Sequence, residues 1–281
     1  MPDHGAGPQR VFITGASSGL GAALAAEYAA QGATLGLLAR RGEMLDQLIA
    51  TLPNSERHRA YAADVRDHAA IAAAAQAFLA YAGGVDVVIA NAGISVGTLT
   101  EFAEDIPVFE AVIATNVVAT AATFAPFIPV MKAQMKTQNR PARLVGIGSV
   151  AGIRGLPGAE AYSASKAAVI SYCESLRLEM KPYGIKVVTL CPGYIDTPMT
   201  RVNPYPMPFL MAPERFAAQA VRAIAAGSSY KVIPWQMGVV AKVLRALPNA
   251  VYDFAFGKAP HKPRKSAAVE TAAPPGPAKR P

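Results

Sequence analysis

Tyr162 and Lys166 stand four residues apart in the run Ala161-Tyr162-Ser163-Ala164-Ser165-Lys166, and Ser149 precedes Tyr162 by thirteen positions. Residues four apart on a helix project from one face. A phenol titrates at about 10 in water and is a poor proton donor or acceptor near neutrality. A fixed ammonium beside it favours the phenolate and moves its proton affinity toward the working pH. A serine hydroxyl close by can hold a carbonyl or alcohol oxygen while the phenol exchanges its proton. These three side chains could form the acid/base half of a hydride transfer. By itself the Tyr-x-x-x-Lys spacing describes an ordinary helix-surface pair, so the weight of the reading rests on the elements that would position it.

The frame is a chain of 281 residues, 52% hydrophobic and 16% charged, which suits one large α/β domain with a sizeable core. Two cysteines, Cys173 and Cys191, are too few for a disulfide framework or a four-ligand zinc site. Their apolar neighbours suit buried thiols in a reducing, cytoplasmic compartment. Residues 1–9 hold no apolar run before a cleavage site, which predicts no secretory signal. No uninterrupted stretch approaches the roughly 18 to 20 apolar residues that cross a bilayer. Of the net charge of +8, five units fall after residue 257, where Lys258, Lys262, Arg264, Lys265, Lys279 and Arg280 face only Glu270. The remainder makes no stripe on any predicted helix, which argues against a nucleic-acid partner.

Val11-Phe12-Ile13 reads as a short buried strand that runs into Thr14-Gly15-Ala16-Ser17-Ser18-Gly19-Leu20-Gly21, followed by an alanine-rich helix to about Gln31 and a stop at Gly32. Glycines at a strand-to-helix turn let the backbone approach a pyrophosphate, and the helix N-terminus offers free N–H groups and a positive dipole end. The next strand, residues 34–38, ends at Ala39-Arg40-Arg41. In dinucleotide folds this strand end meets the adenosine ribose, where an acid selects the free 2′-hydroxyl and an arginine accepts a 2′-phosphate. No acid stands there. The pattern predicts NADP over NAD, with Arg40 as the main phosphate contact and Arg41 as a second; a solvated basic turn is the competing reading. A helix over 43–52 and a strand over 60–63 lead to Asp64-Val65, a carboxylate able to accept from an adenine amino group and a valine able to pack on its ring. A helix over 69–81 and a strand over 85–90 end in Asn91-Ala92-Gly93, small residues that let the chain pass under a ribose.

With these motifs in order, the chain resembles the short-chain dehydrogenase/reductase family. The matching residues are Thr14-Gly15-x-x-x-Gly19-x-Gly21, Asn91-Ala92-Gly93, Asn116 in Thr115-Asn116-Val117, Ser149, Tyr162-x-x-x-Lys166, and Pro192-Gly193 with Thr197. The resemblance spans about residues 10–233. It implies one doubly wound, Rossmann-type parallel sheet of seven strands in the order 3-2-1-4-5-6-7, helices on both faces, a nicotinamide cofactor and no catalytic metal. It also implies roles: Tyr162 as general acid in reduction and base in oxidation, and Lys166 lowering its pKa and binding the nicotinamide ribose. Ser149 would orient the substrate oxygen, and Asn116 would hold a water linking Lys166 to solvent. Pro192, Gly193, Ile195 and Thr197 would wall the nicotinamide and bind its carboxamide. Homodimers or homotetramers built on helices near residues 106–136 and 160–181 follow from the same resemblance.

The substrate side is less determined. Residues 151–160 and the proline-rich run 199–211, with Tyr205, Met207, Phe209 and Met211, could form an adaptable apolar cover or simply close the core. Arg154 reads as a solvated loop cation or as a contact for an acidic substrate group. A helix over 213–226 and a strand over 230–233 complete the expected catalytic domain, residues 10–233, behind a flexible N-terminus at 1–9. Beyond it, residues 234–257 form an apolar extension. Val239, Val240, Val243, Leu244 and Leu247 fall at helical spacing with Lys242 and Arg245 opposite, and Trp235 and Met237 precede them. With Lys258, Lys262, Arg264 and Lys265 they could make a peripheral membrane contact over residues 235–265, or the helix could pack on the domain or across a dimer. The Pro/Ala-rich tail, 258–281, is expected to be disordered. The set as a whole predicts an NADPH-dependent carbonyl reductase or secondary alcohol dehydrogenase on an apolar or lipid-like substrate; a catalytically silent NADP-binding sensor or scaffold is the alternative.

Overall fold

Five short aliphatic runs bury both of their faces, which requires helices above and below and suits parallel pairing. The computed structural model describes residues 8–138, 140–257 and 261–264. Its strands are β1 (Arg10–Thr14), β2 (Thr34–Ala39), β3 (His58–Ala62), β4 (Val87–Ala90), β5 (Arg143–Ile147), β6 (Lys186–Pro192) and β7 (Tyr230–Ile233). They form one parallel sheet in the order β3-β2-β1-β4-β5-β6-β7. The strand order reverses between β1 and β4, and the crevice beyond their C-terminal ends is where open α/β sheets take ligands.

Helices α1 (Gly19–Ala30), α2 (Gly42–Thr51) and α8 (Pro213–Ala225) cover one face, where Leu24, Tyr28, Leu45, Phe216 and Ile224 bury against Ile13, Leu37 and Val188. Helices α3 (His68–Ala82), α4 (Ile106–Ile113), α5 (Ala119–Phe124), α6 (Ile128–Gln138) and α7 (Glu160–Met180) lie on the other. There Phe12 sits within 5.5 Å of the Phe78 ring and 4.9 Å of the Phe127 ring, centroid to centroid. β4 starts two residues later than its apolar run. The Val85 N–H and carbonyl are both taken by the Gln134 amide, so Val85 stays out of the sheet, whereas the Asp86 N–H donates to the Arg10 carbonyl of β1 and its carbonyl accepts from the Arg143 N–H of β5.

The fold places two apolar segments. Residues 103–138 make a nearly continuous helical run, apolar and long enough to cross a bilayer. In the fold this run is packed as a core layer: Val112, Asn116, Ala119, Thr120, Phe124, Phe127 and Met131 bury. The C-terminal helix α9 (Trp235–Ala246) buries its apolar stripe only in part, Val240 and Leu244 being half-buried. It packs on β7 through Met237, Gly238 and Ala241, with Met237 filling the space over Gly193, and leaves Trp235, Val239 and Val243 exposed. A last helix, α10 (Asn249–Phe256), follows.

Arg154 has neither of its expected roles. Its guanidinium donates to the carbonyls of Arg245 and Leu247 and to Asn249 Oδ1, and lies 4.2 Å from the centroid of the Tyr252 ring, whose hydroxyl donates to the Gly155 carbonyl. It therefore pins α9 and α10 to the 151–160 loop. The basic tail is also corrected in part. Lys262 and Arg264 are packed into the domain, not presented to solvent. Residues 1–7, 258–260 and 265–281, on which the rest of the N-terminal and tail readings fall, lie outside the described residues.

Candidate active site

The site is built where β1, β4, β5 and β6 end. The turn after β1 is held by Thr14: its hydroxyl accepts from the N–H groups of Asn91 and Ala92, both at 3.2 Å, while Asn91 Nδ2 donates to the carbonyls of Thr14 and Gly15. Gly15 has φ +67, and a Cβ there would stand 2.7 Å from the Ala92 Cα. Only glycine allows this approach of the two strand ends. Ser18 caps α1 without bonding it, so the first N–H groups of the helix face the crevice.

A cavity of about 590 Å³ opens there. It collects Gly15, Ser17, Ser18, Gly19 and Leu20 from the turn, Arg40 and Arg41 after β2, Asp64 and Val65 after β3, and Asn91, Ala92 and Gly93 after β4. Ser149, Tyr162, Lys166, Pro192, Gly193, Ile195 and Thr197 line its other end. Three of the expected residues lie behind the wall. Thr14 is buried in the turn it braces, Gly21 lets α1 press on the Gly15 carbonyl, and Asn116 is buried beneath the 93–95 loop. The sequence reading missed Arg66, Ile94, Val96, Ala111 and Thr115, which line the cavity together with Met199 and Thr200 from the expected 199–211 cover. Their types carry no motif; only the path of the loops brings them in.

At the far end Arg41 donates to Ser17 Oγ at 3.3 Å, tying the basic strand end to the glycine turn, and Arg40 stands exposed at the rim. Asp64 is not a free acceptor. Its carboxylate takes Arg66 at 2.7 Å and the Arg66 N–H at 2.9 Å, and this pairing holds its pKa below the usual range. The rim therefore carries three arginines against one acid.

The catalytic end is positioned by contacts that exclude larger side chains. Gly152, in the turn Val150–Gly152 after β5, lies so close to α7 that a Cβ would stand 2.6 Å from the Lys166 carbonyl carbon. This approach puts Ser149 beside the α7 face that carries Tyr162 and Lys166. Asn116 lies in a π-helical turn, Ala114–Val118, between α4 and α5, an irregularity often found at functional sites. Both ends of its side chain are engaged: Oδ1 accepts from the Ile94 N–H, and Nδ2 donates to the Ile94 carbonyl and to Ser165 Oγ. The amide thereby ties the loop after β4 to α7.

Lys166 Nζ lies 5.7 Å from the Tyr162 ring centroid and donates to the Ile147 carbonyl at 2.8 Å. Burial pushes its pKa down to about 8. Burial also raises the Tyr162 phenol above its ordinary value, with the Ser149 hydroxyl acting the other way. Desolvation sets the direction for this phenol, and the expected lowering by Lys166 is not among the influences that act on it.

The glycine turn, the open helix end and the elongated cavity fit a dinucleotide, with the arginine rim around its adenosine end and the Ser149, Tyr162 and Lys166 set around its nicotinamide end. Fold and site together define an NAD(P)-dependent oxidoreductase. Residues 9–205 match the family model described as short chain dehydrogenase. The chain belongs to the short-chain dehydrogenase/reductase family, whose members act on CH–OH and C=O groups. An uncharacterized oxidoreductase of Myxococcus xanthus is 35% identical over 87% of this chain and 94% of its own. The structure of a 3-ketoacyl-(acyl-carrier-protein) reductase from Brucella melitensis complexed with NADH is 27% identical, with a TM-score of 0.73 over 80% of this chain and 94% of that one. A short-chain dehydrogenase from Burkholderia cenocepacia in complex with NADP shares the fold at 24% identity and a TM-score of 0.73, over 88% and 97% of the two chains.

Proposed function

We propose that the protein is an NADPH-dependent carbonyl reductase, or the reverse secondary alcohol dehydrogenase, acting on an apolar substrate. The observation that carries the proposal is the shared cavity end at which Ser149, Tyr162 and Lys166 meet. The hydride chemistry is that of the bound nicotinamide. Ser149 orients the substrate oxygen, and Tyr162 gives it a proton in reduction or removes one in oxidation. Lys166, one helical turn further along the same helix face, stabilises the phenolate left behind. Gly193, Ile195 and Thr197 position the nicotinamide ring, and Gly15, Gly19 and the α1 N-terminus take the pyrophosphate.

The preference for NADPH rests on Arg40 and Arg41 at the β2 end, where the strand end itself carries no acid and Asp64 is paired with Arg66. An apolar substrate suits the Ile94, Val96, Ala111 and Met199 lining. The protein is further proposed to act in the cytoplasm as a homodimer or homotetramer. Exposed Ile106, Val118 and Leu178 on the α4, α5 and α7 layer favour that assembly.

The test is a panel of ketones and aldehydes graded in chain length and ring size, assayed with NADPH and with the Tyr162→Phe variant. Turnover is expected to fall by about 10² to 10⁴ in the variant, while NADPH affinity stays within roughly two-fold of wild type. A variant with the wild-type rate would remove Tyr162 from the chemistry. NADPH binding with no turnover of any carbonyl would favour a silent dinucleotide-binding protein.

A further inference from the structure

Residues 261–264 return to the domain after α10 and touch three segments around the substrate side. The Pro263 carbonyl accepts from the Gly97 N–H at 3.1 Å, and Arg264 pairs alongside Gly97 as a parallel bridge. Gly97 is matched to this contact, since a Cβ there would overlap the Lys262 carbonyl. Gly158, at φ +64, faces His261 closely enough that its Cβ would stand 2.6 Å from the His261 Cβ. Thr98 bridges to Ala159 beside them, so the strap lies across the seam between the 94–105 and 151–160 loops.

The polar contacts are as specific as the backbone ones. Arg264 donates to both oxygens of Asp105, at 2.7 and 3.1 Å, and its guanidinium carbon lies 3.6 Å from the Phe102 ring centroid. Asp105 is only 3% exposed and also accepts from the Leu99 N–H. Lys262 is 8% exposed, and its Nζ donates to Ser95 Oγ at 2.9 Å and to the Met199 carbonyl at 3.3 Å. Among the described residues no carboxylate pairs with this ammonium. Burying it without an opposite charge costs free energy, and nothing in the core requires a lysine there. What the lysine does is join two segments: Ser95 sits between Ile94 and Val96, and these and Met199 line the cavity.

We propose that residues 261–264 are a clamp on the substrate side of the cleft, in which Lys262 and Arg264 act as positioning residues that hold the 94–105 loop against the start of the 199–211 segment and so set which substrates fit. The clamp as a selector of substrate rests on the reductase reading; the clamp as a mechanical element does not. Its substrates enter between walls fixed by the chain's own C-terminal region, which the nucleotide end of the site does not touch.

The experiment compares wild type with Lys262→Met, Arg264→Ala and Gly97→Ala by amide hydrogen exchange, NADPH titration and the carbonyl panel. Denaturant unfolding identifies any variant that has lost its global fold. Exchange in both 94–105 and 197–203 is expected to rise by roughly ten-fold without a matching rise in β1 or α1. KM for the longer substrates should change by several-fold or more, while NADPH affinity stays within about two-fold. Unchanged exchange in either segment would overturn the clamp, whatever happens to turnover. Faster exchange with every KM unchanged would overturn its part in substrate selection. If wild type turns over no carbonyl, the reductase reading fails and the exchange comparison alone decides the clamp.

Discussion

The buried ammonium of Lys166 donates to the Ile147 carbonyl at 2.8 Å, so the lysine is fixed by the last residue of β5 rather than by the tyrosine one helical turn before it. Its position is set by the sheet, and its pKa by burial. The ordinary value of 10.5 falls to about 8. Below pH 8 both native and unfolded chains hold the proton, and the native state carries the cost of a buried charge. Between about pH 8 and 10.5 the unfolded chain binds more protons than the native one, so this group makes stability rise with pH, by up to about 1.36 kcal/mol per unit. Denaturant unfolding of wild type and Lys166→Met should show the difference between them grow in favour of wild type by roughly 2 kcal/mol from about pH 8 to 9.5. A difference that does not move with pH would mean that the ammonium is not disfavoured by the fold.

Arg40→Asp removes a cation from the adenosine end and adds an anion. NADPH should bind about 10- to 100-fold more weakly, the loss of a charge-assisted contact of roughly 1.5–3 kcal/mol. NADH should change little. Fluorescence titration with both nucleotides separates these results, and an equal loss for both would place the 2′-phosphate elsewhere. Arg41→Ala should give a smaller effect of the same sign, because Arg41 is partly engaged with Ser17.

Away from the site, Asp86 joins the N-terminal ends of the central strands β1 and β4 to the segment before β5. It is 2% exposed and takes Arg10 at 2.7 Å and Arg140 at 2.7 Å, besides the Arg10 backbone N–H. Removing one partner of a buried ion pair leaves the other charge uncompensated. Asp86→Ala should cost about 3–5 kcal/mol in urea unfolding. A loss below about 1 kcal/mol would place the network in the range of exposed pairs.

Trp235 is 67% exposed and Phe254 93% exposed, with Val239, Val243 and Val251 nearby in sequence on the outward sides of α9 and α10. This surface is the remaining support for peripheral membrane contact, now without Lys262 and Arg264. Co-sedimentation with anionic phospholipid vesicles should be reduced several-fold by Trp235→Ser with Phe254→Ser, since each buried aromatic contributes about 1.5–3 kcal/mol. Failure of wild type to sediment, or equal sedimentation of the variant, would end the membrane reading.

Local sequence determined the fold class and most of the site for a physical reason: its motifs sit at strand ends, and each is a short-range device. Gly15 and Gly19 make a turn of positive φ, Tyr162 and Lys166 share a helix face by spacing alone, and Arg40 follows the strand that must face an adenosine. The seven-strand order came with the family resemblance and is the order observed. Tertiary structure decided what depends on contacts between distant segments. Asn116 turned its amide to Ile94 and Ser165, Asp64 was taken by Arg66, and burial raised the Tyr162 phenol. The same holds for the C-terminal residues. Lys262 and Arg264 look in sequence like solvated tail cations, because nothing within several residues of them could pair with either. Their partners, Ser95, Met199, Glu104 and Asp105, lie from 63 to 167 positions away, and only the folded chain brings them together.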